Sequence, residues 1–249
     1  MKFEICIGSL DSALNAQKAG ADRVELCSAL SIGGITPSYG LIESVRNNIN
    51  IDINVLIRLR QGDFLYSKNE IEVMVKDIAM CGKMGVNGVV IGALDKYGNI
   101  DVPTCKYLIE EAKKYSLSVT FHRAIDACKD IFGAVNTIIE LGGVDRILSS
   151  GGKNTAFEGM ETLAKMNKIA GDKVIIMPGS GVNANNIKEL VDYTKVKEIH
   201  FSASEKIESE MIYREGISFT PNSLGGDFTL LESSYKKIVD TIISQKQKE

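Results

Sequence analysis

The sequence predicts an α/β fold, namely a single-domain TIM-type (β/α)8 barrel that spans residues 1–249. Eight short apolar runs alternate with longer helical patterns, and this alternation is typical of a parallel sheet. The length of 249 residues is near that of one such barrel, and no linker-like segment divides the chain. A doubly wound open sheet is the alternative, but Gly8-Ser9-Leu10-Asp11 after the first run lacks the GxGxxG pattern of such sheets.

The predicted elements follow one another in strand–helix order. The eight strands are 3–7, 23–26, 53–59, 88–91, 118–121, 146–148, 174–177 and 198–201. Helical patterns fill the gaps between them, for example at 69–83, 102–115 and 157–170. Residues 205–249 form a C-terminal extension, in which 207–228 predicts an extended connection and 229–245 predicts an amphipathic helix that closes the barrel.

Composition and charge are those of an ordinary globular protein. The chain is 44% hydrophobic and 24% charged, and its formal net charge of −3 argues against nucleic acid or a membrane surface as partner. No apolar run approaches the length of a membrane span. Five cysteines occur without a CxxC pair, and the first residues do not resemble a signal peptide. We therefore expect a cytoplasmic protein with reduced thiols.

Polar side chains share one face of several predicted strands. Alternate residues of a strand point to opposite faces, and the outer face of a barrel strand packs under helices and must be apolar. The polar face therefore points toward the barrel axis, with the working site at the carboxyl ends of the strands. The side chains that we expect on this inward face are Glu4, Cys6, Glu25, Cys27, Arg58, Arg60, His122 and His200.

Buried carboxylates in such a barrel require partners, because desolvating an isolated charge is costly. Arg58, Arg60 and Arg23 are the candidate partners of Glu4 and Glu25. One interpretation is an ion-pair network that only fills the barrel. The other is an enzyme site for a small anionic or phosphorylated metabolite. In that site Arg58 and Arg60 bind the anion, residues 179–181 hold a phosphate, and Glu25, Glu4 or His122 moves a proton.

Histidines supply further candidates for acid–base chemistry. The chain contains two, His122 and His200, and both fall at strand ends on the polar face. Asp126 follows His122 by four residues and could orient its imidazole, or it could cap a helix that begins near Lys129.

Two glycine-rich turns follow the sixth and seventh strands. Free backbone N–H groups at such turns bind phosphate in many barrels, although glycines are also needed simply to turn the chain. The residues predicted to hold an anion there are Ser150, Gly151, Gly179, Ser180, Gly181 and Ser202.

Cys6 and Cys27 end neighbouring predicted strands on the same face. Adjacent strands lie about 4.8 Å apart, so the two sulfur atoms can approach each other, and soft thiolates suit Cu(I). The alternative interpretation is a pair of small buried thiols in the core. Cys81, Cys105 and Cys128 fall on or beside helices and are interpreted as packing residues.

Several long motifs resemble those of the CutC family, and the resemblance spans roughly residues 3 to 220. The motifs are Gly20-Ala21-Asp22-Arg23-Val24-Glu25-Leu26-Cys27, Ile57-Arg58-Leu59-Arg60-Gln61-Gly62-Asp63-Phe64, Thr120-Phe121-His122-Arg123-Ala124-Ile125-Asp126 and Ile176-Met177-Pro178-Gly179-Ser180-Gly181-Val182. The chain departs from the family pattern at Leu59, where Pro is usual, and at Ser180, where Gly is common. The segment after Gly216 matches poorly.

The resemblance implies a TIM-type barrel in a cytoplasmic homo-oligomer, either a dimer or a tetramer, with a role in copper homeostasis. It also implies Cu(I) as the ligand, because Cys6 and Cys27 match a cysteine pair proposed to bind Cu(I) in a family member. No reaction or substrate follows from it, so the metabolite enzyme stays open as the alternative.

Overall fold

A computed structural model describes residues 1–214, 216–221 and 226–246 and has the predicted barrel architecture. Its parallel strands are β1 (Lys2–Ile7), β2 (Arg23–Leu26), β3 (Asp52–Leu56), β4 (Gly88–Ile91), β5 (Ser118–Phe121), β6 (Arg146–Ser149), β7 (Ile175–Pro178) and β8 (Glu198–Phe201). They pair in the order β7-β6-β5-β4-β3-β2-β1-β8. Because β7 and β8 also lie side by side, the eight strands form a nearly closed barrel.

Helices surround the strands. They are α1 (Leu10–Lys18), α2 (Tyr39–Asn48), α3 (Lys68–Lys83), α4 (Val102–Lys114), α5 (Ile131–Leu141), α6 (Met160–Ala170), α7 (Ile187–Thr194) and α8 (Tyr235–Lys246). Local chemistry explains where they begin. For example, Ser67 and Glu70 form a reciprocal capping box that starts α3. None of the described helices is both long and apolar enough to cross a lipid bilayer.

The two faces of the barrel strands divide as the alternation predicts. Ile5, Ile7, Val24 and Ile53 are fully buried in the apolar layer between strands and helices. The opposite faces carry polar groups that are also almost completely buried. Because both faces are enclosed, the polar groups in the interior must form ion pairs and hydrogen bonds with one another.

The C-terminal extension contains a β-hairpin that the sequence did not reveal. Strand β9 (Ser204–Glu208) pairs antiparallel with β10 (Thr229–Ser233), and α8 then packs against α1 and α7 to complete the helical ring. The predicted helix over 229–245 is therefore wrong in its first five residues, because pairing with a strand more than twenty residues earlier overrides their local pattern. In the predicted connection 207–228, Ile207 and Glu208 belong to β9, and residues 215 and 222–225 lie outside the described part.

Candidate functional site

A cavity of about 550 Å³ opens at the carboxyl ends of the barrel strands. Its walls come from the ends of β1, β2, β3, β6 and β8, from the segments that follow β1, β2, β3, β5, β7 and β8, and from the β9–β10 hairpin. Of the predicted inward residues, six line this cavity: Cys6, Glu25, Cys27, Arg58, His122 and His200. The position of the site thus agrees with the prediction from alternation and topology.

Two thiols and a carboxylate meet at one side of the cavity. One ligand atom each from Cys6, Glu25 and Cys27 lies within 4.8 Å of the others. The strand register explains the cluster, because Cys6 of β1 pairs with Glu25 of β2. Cys27 lies two residues after Glu25, and its N–H donates to the carbonyl of Ile7, which continues the hydrogen bonding between the two strands. Cys27 is buried, whereas Cys6 is partly exposed toward the cavity. We call these three residues the thiol cluster.

The three groups of the thiol cluster have very different pKa values. A hydrogen bond from Cys27, together with the nearby His200, lowers the pKa of Cys6 to about 5, whereas that same hydrogen bond and burial raise the pKa of Cys27 well above its ordinary value. Burial raises the pKa of Glu25 to about 8. At neutral pH the cluster therefore holds one thiolate, one thiol and a largely protonated carboxyl group.

His200 connects the thiol cluster to the barrel interior. Its Nδ1 lies 2.8 Å from Oε1 of Glu4, and its Nε2 lies 3.6 Å from Oε2 of Glu25. Burial alone would lower the pKa of His200, but Cys6, Glu25 and Glu4 outweigh it and raise the pKa well above the ordinary value. His200 is therefore a cation that faces the Cys6 thiolate.

An ionic layer lies beneath the cavity. Arg23 forms ion pairs with Glu4 and Glu198, and Arg146 Nε lies 3.3 Å from Oε2 of Glu198. Asn54 also donates to Glu4. Burial would raise the pKa of Glu4, but Arg23 and His200 lower it to about 2. Glu4 is thus a permanently charged anchor for His200, outside the residues that line the cavity.

Of the three candidate arginine partners, one is confirmed. Arg23 is the ion-pair partner of Glu4, not Arg58 or Arg60. Arg60 is 36% exposed and pairs with Asp63 and Glu70 outside the cavity. The predicted inward position of Arg60 is wrong because β3 ends at Leu56, four residues earlier than Arg60, and strand alternation no longer applies.

Arg58 reaches the cavity although it lies beyond β3. Its Nη1 donates to the carbonyls of Ile32 and Gly34, and its Nη2 donates to that of Gly62. The guanidinium carbon lies 5.2 Å from the ring centroid of Phe64. Arg58 therefore ties together the loops after β2 and β3 and brings a positive charge to the cavity wall.

His122 is neutral and does not contact Asp126. Its Nδ1 accepts a hydrogen bond from the backbone N–H of Ala124, and burial, reinforced by the charge of Arg58, lowers the pKa of His122 to about 3. The expectation that Asp126 orients His122 is wrong, as is the expectation that it caps a helix near Lys129. Asp130 caps α5 instead.

Asp126 occupies the glycine-rich loop after β6. Its carboxylate accepts hydrogen bonds from the Ser149 hydroxyl and from the backbone N–H groups of Ser150 and Gly152, at 2.5, 2.9 and 3.0 Å. It also forms an ion pair with Arg123. An internal carboxylate thus takes the place that we expected an external anion to fill.

The predicted phosphate cradle is corrected accordingly. Besides the Ser150 amide, the Gly151 N–H donates to the Ser149 hydroxyl, and the Gly179 N–H donates to the Ser149 carbonyl. These amides are not free to bind phosphate. Ser180, Gly181 and Ser202 do line the cavity. Ser180 has a φ of 84°, a left-handed backbone conformation that glycine adopts most easily.

The β9–β10 hairpin contributes to the cavity wall, which no sequence pattern predicts. Leu231, Glu232 and Ser233 of β10 line the cavity, and the Ser233 hydroxyl donates to the carbonyl of Cys6. Glu232 accepts hydrogen bonds from Ser9 and Ser12 of the α1 N-terminus. No local pattern in residues 229–233 signals these contacts, because their partners lie more than 200 residues away.

Comparison with known proteins places this site in a family. The CutC family model matches residues 1–205, which is most of the chain. The chain belongs to the CutC family. A family protein of Parabacteroides distasonis is 45% identical over 95% of this chain and 97% of its own length, and one of Bacteroides fragilis is 43% identical over 97% and 96%.

Solved structures agree with the fold. A CutC protein of Streptococcus agalactiae, provisionally described as a copper homeostasis protein, superposes with a TM-score of 0.76 at 30% identity. The match covers 98% of that chain and 81% of this one. Phosphoribosylanthranilate isomerase of Thermotoga maritima reaches a TM-score of 0.58 over 99% of this chain and 98% of its own, at 12% identity, and shares the barrel fold alone.

Proposed function

We propose that this protein binds Cu(I) through Cys6 and Cys27 and that this binding serves copper handling. The observation that carries the proposal is the meeting of two sulfur atoms and the Glu25 carboxyl group within 4.8 Å. Thiolates are soft ligands that favour Cu(I), and the adjacent strands β1 and β2 hold the two cysteines on rigid elements.

The charges around the thiols suit a monovalent soft cation. Metal binding requires thiolates, and the low pKa of Cys6 means that this residue is already deprotonated at neutral pH. Cys27 loses its proton when the metal binds, and the cationic His200 offsets part of the resulting negative charge. Glu25 is largely protonated below pH 8. The site therefore lacks the additional carboxylate charge that hard divalent cations such as Ca²⁺ and Mg²⁺ prefer.

One solved relative supports a role in copper handling. The Streptococcus agalactiae structure is provisionally described as that of a copper homeostasis protein, and this chain shares its barrel at 30% identity. Cu(I) ligation needs reduced cysteines, so we place this activity in the reducing cytoplasm.

Competitive titration tests the proposal. The reduced protein is titrated anaerobically with Cu(I) against a chromogenic chelator, and we expect one Cu(I) per chain. The double variant Cys6→Ser/Cys27→Ser should lose at least about 100-fold in affinity, since hydroxyl groups are poor ligands for this ion.

Cys128→Ser is the matched control, because Cys128 is also partly exposed but lies on the opposite side of the barrel mouth, after β5. This variant should bind Cu(I) like the wild type. Equal affinity of the double variant and the wild type would refute the assignment of the site.

A further inference from the structure

The C-terminal extension carries the most exposed large apolar side chains in the described part of the chain. Ile212 is 97% exposed, Phe219 86% and Ile217 82%, and Met211 and Tyr213 are each more than half exposed. They belong to a segment around the β9–β10 hairpin, and we call its described residues, 204–214, 216–221 and 226–233, the arm. Clustered apolar side chains in water are typical of an interaction surface.

Contacts within the arm hold these side chains on one surface. The guanidinium of Arg214 donates to the carbonyl of Met211 and lies over the ring of Phe228, 5.1 Å from its centroid. The backbone N–H of Phe219 donates to the carboxylate of Asp227. Both contacts join the exposed residues to the segment that leads into β10, so the apolar surface is formed before any partner arrives.

The hairpin by itself does not bury its apolar side chains. Its sheet consists of β9 and β10, and Ile207 lies directly opposite Leu230, with both side chains exposed. An isolated two-stranded hairpin is at best marginally stable in water. The contact of Glu232 with Ser9 fixes only the end of the arm that adjoins α1. The other end gains stability from a second apolar surface.

The size of the exposed surface matches one side of a stable protein interface. Met211, Ile212, Tyr213, Ile217 and Phe219 together present on the order of 800 Å², at roughly 150–250 Å² for a fully exposed large side chain. The largest apolar patch on a typical monomer covers only about 300–600 Å². Each partner in a standard interface contributes about 800 Å². The arm therefore has the area that a dimer requires.

The charges of the arm favour a second copy over a lipid or nucleic-acid partner. The arm contains five carboxylates and two basic side chains, and its net negative charge opposes binding to anionic lipid or nucleic acid. Glu208 pairs with Arg214, and Asp227 accepts backbone N–H groups. Glu232 accepts the hydroxyl of Ser9. The surface at the centre is apolar and hence self-complementary, as a twofold interface requires.

We propose that two copies of this chain associate through their arms, with Ile212, Ile217 and Phe219 at the centre of a twofold interface. The CutC family model ends at residue 205, so this interface belongs to the extension rather than to the matched barrel. None of the three central residues lines the cavity or belongs to the thiol cluster. The inference therefore goes beyond copper binding and does not depend on it.

Sedimentation velocity of the full chain tests the proposal. At about 100 μM the wild type should sediment as a dimer and dissociate on dilution with a single dissociation constant. Sodium chloride at about 0.5 M should not weaken the dimer, because salt screens charges and leaves apolar contacts intact. Amide exchange in peptides that contain Ile212 and Phe219 should slow as the protein concentration rises.

Substitutions at the centre of the interface complete the test. Ile212→Asp/Phe219→Asp should weaken association at least about 100-fold, because it places charges in the apolar contact. Ile212→Ser/Phe219→Ser should act in the same direction, and it guards against a local folding defect in the charged variant. Tyr97→Asp is the matched control, because Tyr97 is an exposed aromatic residue in the loop after β4, and this variant should remain dimeric.

Copper titration of the Ile212→Asp/Phe219→Asp variant separates this proposal from the copper proposal, since the variant should bind Cu(I) like the wild type. A wild type that stays monomeric at about 100 μM would overturn the inference. A dimer that persists in both double variants, or that dissociates in salt, would overturn it as well, because the interface would then lie elsewhere or depend on charge. A monomer that binds neutral phosphatidylcholine vesicles through the arm would identify lipid as the occupant instead.

Discussion

Glu232 of the β9–β10 hairpin accepts a 2.5 Å hydrogen bond from the hydroxyl of Ser9, which lies 223 residues earlier in the chain. Ser9 caps α1, so the carboxylate stands at the positive end of that helix, and Ser12 of its first turn donates to the same oxygen. The Ser12 hydroxyl in turn accepts from the N–H of Ser233. This contact holds the hairpin over the β1 side of the cavity.

Glu232→Ala should therefore release the hairpin without unfolding the barrel. The two hydroxyls lose their shared charged acceptor, and we expect faster amide exchange in 204–208 and 229–233, measured by hydrogen–deuterium exchange mass spectrometry. Glu210→Ala, an exposed change in the same extension, is the control. Unchanged exchange in both strands of the Glu232→Ala hairpin would show that other contacts hold it.

The ionic layer predicts a large stability loss when Arg23 is removed. Arg23→Ala leaves Glu4 and Glu198 facing each other in the barrel interior without their shared cation, although Arg146 stays near Glu198. Breaking a buried pair in this way costs about 3–5 kcal/mol in the free energy of unfolding, measured by urea denaturation. Lys197→Ala breaks the exposed pair with Asp172 and should have no measurable effect. If Arg23→Ala lowered the free energy of unfolding as little as Lys197→Ala does, water would have to reach Glu4 and Glu198 in the ionic layer.

The pKa of Cys6 predicts selective alkylation in mildly acidic solution. A pKa of about 5 leaves Cys6 a thiolate above that pH, whereas burial raises the pKa of Cys128 to about 12 and keeps it a thiol. Because the thiolate is the nucleophile, iodoacetamide at about pH 6 should label Cys6 first, with little change in rate up to neutral pH. Peptide mass spectrometry measures both sites, and equal labelling of Cys6 and Cys128 would contradict the prediction. Bound Cu(I) should protect Cys6.

The glycine loop after β6 predicts that an external anion can replace an internal one. Asp126→Ala leaves the N–H groups of Ser150 and Gly152 without their acceptor, and we expect a loss of about 2 kcal/mol in stability. Sulfate should then raise the melting temperature of Asp126→Ala more than that of the wild type, as followed by differential scanning fluorimetry. Asp126→Asn keeps one oxygen and should respond less. An equal sulfate effect in all three proteins would contradict this account.

Sequence alternation located the cavity because it depends only on strand geometry. Cys6, Glu25 and Cys27 were placed correctly on one face, and β1 and β2 bring them together in register. Alternation predicts an inward position for Arg60, which is wrong because β3 ends at Leu56. The alternation rule holds only within a strand and does not show where the strand ends.

The remaining errors concern partners that are distant in sequence. Arg23 and Glu198 lie on β2 and β8, which are far apart in sequence but separated only by β1 in the sheet, and Asp126 reaches the loop after β6 only through tertiary structure. Likewise, β10 forms a strand because it pairs with β9. The residues around 229–233 do not reveal this partner, because β9 lies more than twenty residues earlier.

The ionic layer beneath the thiols also forms the floor of the cavity. Arg23, Glu4, Glu198 and Arg146 are all buried and mutually paired, so they close the route through the barrel axis. A ligand in the cavity therefore does not pass along the barrel axis to the other end, and any exchange takes place at the carboxyl ends of the strands. Under the proposed function, a protein that receives copper from Cys6 and Cys27 would have to dock at the hairpin side of the cavity, where Leu231, Glu232 and Ser233 line the wall.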